Sequence, residues 1–470
     1  MAISITTQPT SNTLCSTLIP LKLSVTEATA DTTNIVATCY YTNQTTSVET
    51  QISGKFRMSP SLTNADNFNF DSSEIFNGLT KYTLADYPNN IDLGSNVGTT
   101  NSLQTWADVA TFKVRVKFQR EYLDATTGLI VLDPTFTDSN YFYIHEGSPE
   151  KNWILNVVES NGQSDSVFDY FNFQSQIKKN RFFTNYPITK LSDGTIKSNV
   201  NIHENESYML AFVAPPTSFC GYKFTIETYS GNFTTLLNTH DLAVTESDNL
   251  QTVLVGFRDL YNGFAPNAAE GNVSGSEFIN VNSYKVIPMT GNTLASPCTY
   301  VIGGTEFHFK VNRGCLLNSG YLRFCFKNML GGYDMVSSNG EYIVKENNTF
   351  QSFEQTLGFD NWHSPMNFGN SNWANSNVEK YTVTTESLTP KNATHFAEMF
   401  SSTQVYLRVD NDSNNKVFSS SLNNAAAAQP YVFYPIVLEG GVNSISKTSD
   451  NYSKLNFSFN MAVNQSNPRY

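Results

Sequence analysis

The stretch Phe112-Lys-Val-Arg-Val-Lys-Phe-Gln119 decides the fold class. Phe112, Val114, Val116 and Phe118 alternate with Lys113, Arg115, Lys117 and Gln119. A period of two puts the first set on one side of a strand and the second on the other, one buried and one solvated. Before it, Leu18–Val25, Asn34–Thr42 and Glu49–Met58 are short runs of Val, Ile, Leu, Tyr, Phe and Thr separated by polar stretches; Tyr141–Ile144 follows. That spacing predicts a sandwich rather than alternating strands and helices. Asp71–Leu79 interrupts it with a helical pattern, Asp71 in capping position and Glu74 three residues on.

Further along, strand-like runs recur at Phe168–Phe173, Ile188–Leu191, Ser207–Val213, Tyr222–Thr228, Leu250–Phe257, Glu277–Ile287, Glu306–Val311 and Tyr321–Phe326. Glu341–Val344, Lys380–Thr384, Gln404–Val409, Tyr431–Leu438 and Lys454–Val463 complete the series. Thr389 can cap a helix opened by Pro390, with Phe396, Met399 and Phe400 on one face. The expectation is a mainly β chain: several Ig-like or β-sandwich domains in tandem with a few short helices. Glu146–Asn152 and Pro288–Pro297 read as boundaries, giving an N-terminal sandwich at 1–150, a middle β domain at 151–298, and a β-rich domain at 299–470 with a helix near 390–400.

Composition agrees. Of 470 residues only 15% are charged, 13% are aromatic, and 54 are Asn. Helical proteins lean on Ala, Leu, Glu, Lys and Arg, whereas aromatics, Thr and Asn suit strands joined by polar turns. The net charge of −12 argues against nucleic acid as a partner, which calls for a basic face. The longest apolar run, near Tyr431–Leu438, falls short of the ~20 residues of a membrane helix, so no membrane insertion is expected. The opening MAISITTQPTSNT has neither the basic nor the apolar region of a secretory signal. Cys15, Cys39, Cys220, Cys298, Cys315 and Cys325 form no C-x-x-C pair. Buried thiols are the expected state, a Cys15–Cys39 disulfide the alternative.

Chemistry-bearing motifs are scarce. Phosphate loops and metalloprotease or nucleophile-elbow patterns are absent, and the six histidines are scattered. His203-Glu204-Asn205-Glu206 reads as a turn before a strand. Asp133, Glu206, Glu227 and Asp360 offer carboxylates for a glycosidase, with no pair preferred. The expectation is no catalytic residue, no cofactor and no metal: not an enzyme. Asp360–Ser376, DNWHSPMNFGNSNWANS, is the best candidate contact surface; Trp362 and Trp373 are two of only four tryptophans. They read as interface residues, or as platforms for a sugar.

Two regions resemble a family of tail and neck structural proteins of tailed bacteriophages infecting Bacteroidetes, the crAss-like phages among them. ISITTQPTSNTLCSTLIPLKLSV resembles that family's opening, a strand and a turn at Gln8-Pro9. Phe326–Asp334, FKNMLGGYD, resembles its W-x-N-x-x-G-G-x-D element, with Asn328, Gly331, Gly332 and Asp334 on the fixed positions and Phe326 where Trp is usual. Physically, Gly331-Gly332 permits a tight turn with positive φ, and Asp334 offers a carboxylate to its backbone. The resemblance implies a virion protein assembled in the bacterial cytoplasm: a tail, neck-ring or baseplate component that contacts copies of itself in a ring and other tail or portal-proximal proteins. The alternative is a tail-tip or head-fibre protein binding a receptor or host surface glycan.

Overall fold

The computed structural model describes residues 3–9, 13–16, 21–27, 32–43, 47–58, 66–80, 103–105, 111–147, 171–172, 186–193, 195–204, 208–214, 222–244, 247–257, 281–291, 299–302, 305–313, 322–354, 370–410, 431–439 and 452–461, with positions 11, 60, 184, 206, 260 and 279–280. Among the described residues the chain is mainly β, with strand far in excess of helix, as the composition requires. It divides into two compact units. One comprises Met1–Gly314 with Asn328–Asp334; the other comprises Cys315–Lys327 with Met335–Tyr470.

The first unit holds two cores. The alternating strand spans Thr111–Leu123 and lies in a nine-stranded sheet, antiparallel to Thr32–Thr42 on one side and to Phe142–His145 on the other. Val114, Val116 and Phe118 are fully buried against Leu23, Val25, Phe68 and Phe70 of a facing three-stranded sheet. Two sheets closing on one apolar layer is the sandwich arrangement that the period of two demanded. Glu49–Met58 is two strands, Glu49–Gln51 and Phe56–Met58, both paired to Thr32–Thr42. Between them the Ser53 hydroxyl accepts the Cys39 N–H at 3.0 Å, filling the ladder position the interruption vacates. The first helix begins at Ser73, because Asp71 is held in the Asn67–Asp71 strand opposite Lys22. Its carboxylate still accepts the Ser73 N–H at 3.0 Å.

The second core lies between a seven-stranded sheet and a three-stranded one. Tyr284 and Phe309 stack at 4.7 Å, and the Tyr284 hydroxyl donates to the Val255 carbonyl at 2.8 Å. Pro288 lies within the Ser283–Gly291 strand. Its missing N–H falls where that strand's neighbour changes from Glu306–Asn312 to Tyr300–Ile302.

The other unit is a seven-stranded sheet whose first and last strands, Tyr333–Ser338 and Glu341–Glu354, are joined by only two residues. A sheet whose two edges are two residues apart must curl round on itself. The helix Pro390–Glu398 plugs its concave side: Ala393, Phe396 and the following Met399 pack on Phe324, Phe457 and Phe459. As the sequence predicts, Thr389 caps it, its hydroxyl accepting the Asn392 N–H at 3.4 Å. No helix among the described residues is long and apolar enough to cross a membrane.

Candidate functional site

The Phe326–Asp334 stretch is a locked turn. After the strand Leu322–Lys327, the Asn328 N–H donates to the Gly332 carbonyl at 2.9 Å, and Gly331 N–H donates back to the Asn328 carbonyl at 3.1 Å. Asn328 Oδ1 accepts the Gly332 N–H at 3.0 Å, the role that sequence reasoning gave to Asp334. Gly331 has φ +86°, as expected of one glycine of the pair. The turn packs on His145, Glu146 and Gly147, the last two inside the Glu146–Asn152 stretch whose composition reads as a linker. A carbonyl can only accept, so the 2.5 Å contact of His145 Nε2 with the Leu330 carbonyl fixes the ring tautomer with hydrogen on Nε2. Asn328, Gly331, Gly332, Tyr333 and Asp334 are all buried. Burial first, and then the Asp334 carboxylate, raises the Tyr208 hydroxyl well above its usual range.

A second cluster covers the outer side of the nine-stranded sheet. Arg115 lies over Tyr141 at 4.8 Å; Lys117 lies over Tyr40 at 4.5 Å. Glu49 knits them: it accepts from Arg115 at 2.5 Å, from the Tyr141 hydroxyl at 2.7 Å, and pairs with Lys117 at 3.0 Å. Burial would raise the Glu49 pKa, but the bonds from Arg115, Tyr141 and Lys117 outweigh it and hold it at about 2. Lys113 lies 5.1 Å and 6.0 Å from the Tyr141 and Tyr143 ring centres and makes no ion pair with a described residue. Sequence reasoning read these cations as a plain solvated face. The signal it lacked is the Tyr40, Tyr141 and Tyr143 side chains, brought alongside from the strand Thr32–Thr42 and from the segment that opens the strand Phe142–His145.

The remaining candidates fall as follows. Trp362 and Asp360 lie outside the described residues. Trp373 lies on the strand Asn370–Thr384, at the position the ladder skips: Gln351 pairs with Ala374 and Ser352 with Asn372. Glu206 locks a buried turn, accepting the His203 N–H at 2.5 Å. Asp133 accepts from Thr135 N–H at 2.9 Å, and Glu227 lies 3.4 Å from Lys285. Each of these three carboxylates is engaged in bonding within its own sheet or turn. Cys15, Cys39 and Cys325 are buried, and Cys39 is a free thiol; Cys220, Cys298 and Cys315 lie outside the described residues. Comparison with protein-family models and with curated proteins finds no match.

Proposed function

We propose that the protein is a non-enzymatic structural component of a tailed-phage virion, in the tail, neck ring or baseplate, working as a closed ring of identical copies that also touches other virion proteins. The observation that carries the reading is the Asn328–Asp334 element. Its four fixed residues are buried, and Asn328 and Gly331 each hold the turn closed, so the resemblance rests on positions with a physical reason to stay. Supporting it, sheet edges are left thinly guarded. Among the described residues the Ile130–Leu132 strand pairs only with Thr111–Leu123, and its Ile130 and the preceding Leu129 are 57% and 65% exposed. Open edges with apolar side chains invite pairing with another chain, and cyclic closure satisfies such contacts without filaments. The local engagement of Asp133, Glu206 and Glu227 supports a chain without a hydrolytic pair.

The test is cryo-electron microscopy, with peptide mass spectrometry, of whole particles. The reading expects many symmetric copies of the chain in the virion. Absence from the particle, or isolated single copies in it, refutes the reading.

A further inference from the structure

The strands Glu341–Glu354 and Asn370–Thr384 pair over their whole length. Among the described residues only the root of this hairpin belongs to the sheet, where the strand Asn456–Met461 pairs with Lys380–Thr384. Beyond Lys345 and Lys380, nine further register pairs run out to Glu354 and Asn370. At ~3.4 Å per residue they form a two-stranded ribbon about 30 Å long. Among the described residues no other strand pairs with either of its edges. An isolated two-stranded ribbon is marginal in water, and edges are normally guarded by Lys or Pro. Residues 346–354 and 370–379 contain neither Lys, Arg nor Pro.

The ribbon's charge says what covers it. It carries Glu346, Glu354 and Glu379, and the register sets Glu346 directly opposite Glu379. Like charges directly opposite destabilise a strand pair, so this place calls for a cation from outside. The same chain offers a matching surface in the sheet that carries Lys113, Arg115 and Lys117. There Lys113 lies over two tyrosines without an ion pair to a described residue. With the whole chain at −12, two copies repel unless such a local pairing is made.

We propose that the ribbon formed by Glu346–Glu354 and Asn370–Glu379 is an arm that lies on the Lys113 face of a second copy of this chain. This deepens the reading of a self-assembling ring and rests on it. Arm and face are different surfaces, so the contact is head-to-tail, the kind that generates a ring when its rotation closes.

The experiment uses the full chain, mixed from unlabelled and 15N-labelled copies, concentrated, and treated with a carbodiimide that joins a carboxylate to an amine at zero length. Crosslinks from Glu346, Glu354 or Glu379 to Lys113 or Lys117 are expected, with mixed isotope pairs showing that they join two copies. Lys113→Glu is expected to weaken association at least about tenfold in sedimentation, and Glu346→Lys with Glu379→Lys to restore much of it in that background. An arm shortened to Asn-Gly between Lys345 and Lys380 should stay monomeric with its melting temperature kept; if that chain does not fold, the Lys113→Glu pair decides. A chain monomeric at every concentration overturns the arm, as do isotope-pure crosslinks or a Lys113→Glu variant that associates unchanged. The virion reading survives each of these, because it is tested on the particle.

Discussion

Gly147 faces the backbone of Leu330 so closely that a methyl at position 147 would lie 2.3 Å from the Leu330 carbonyl oxygen. The approach is mutual: a methyl at Gly331 would lie 2.0 Å from the Glu146 carbonyl oxygen. Two segments far apart in the chain meet here backbone to backbone, with the His145 ring alongside: its Nε2 would lie 2.6 Å from the methyl at 147 and 2.9 Å from that at 331.

Gly147→Ala and Gly331→Ala are therefore each expected to cost about 2–4 kcal/mol, since backbone cannot give way as a flexible side chain can. Gly331→Ala should be the worse, because its φ of +86° adds left-handed strain. Gly78, in the helix Ser73–Thr80, has nothing within 4 Å of its missing methyl. Gly78→Ala is expected to stabilise by about 0.5–1 kcal/mol. Denaturant unfolding of the three variants checks the order; equal effects would refute the close approach.

Glu49 sets an acid-dependent term. Its pKa is about 2 in the folded chain against an ordinary 4.5. A depressed carboxyl contributes its full stability above the unfolded value and loses it as pH falls from about 4.5 towards 2. Glu49→Gln is expected to destabilise by about 1–2 kcal/mol at pH 7, the difference from the parent closing below pH 4. Thermal melts from pH 7 to 2.5 test it, and parallel curves would argue that Arg115 and Lys117 do not hold the carboxylate.

Thiol chemistry separates the two readings of the cysteines. Cys15, Cys39 and Cys325 are buried, and desolvation pushes the Cys39 thiol up to about 12. Alkylation by iodoacetamide at pH 8 should label these three only after denaturation, since the thiolate is the nucleophile. Peptide mass spectrometry reads this site by site. A Cys15–Cys39 peptide under non-reducing conditions would overturn it.

Much of the sheet structure was legible because its signal is local. The alternation at Phe112–Phe118 gave a strand and its buried face, and Thr389-Pro390 gave a helix start within a residue. Two things were not legible. The ribbon beyond Glu346 and Glu379 is written in Asn, Ser and Thr, which carry no apolar alternation, so sequence reasoning stopped at Val344 and began again at Lys380. The meeting of Gly147 with Leu330 depends on a partner far along the chain, and nothing near Gly147 announces it; Glu146–Asn152 read as a linker for that reason. Aromatic partners of Lys113 and Arg115 likewise arrive from other segments.

The exposed tip of the Leu123–Leu132 hairpin gives a last expectation. Leu123, Leu129 and Ile130 are 48%, 65% and 57% exposed around the turn that Asp124 closes, its carboxylate accepting the Thr126 N–H at 2.9 Å. Apolar side chains this open contribute little to the fold of one copy. Leu129→Lys with Ile130→Lys should leave the melting point of the isolated chain nearly unchanged, within about 0.5 kcal/mol. Lysine on an edge strand also repels an incoming strand. If the tip is a contact between copies, the double variant lowers self-association at unchanged stability; if it merely packs against its own chain, stability falls and association does not. Sedimentation and thermal unfolding of one preparation separate the two outcomes.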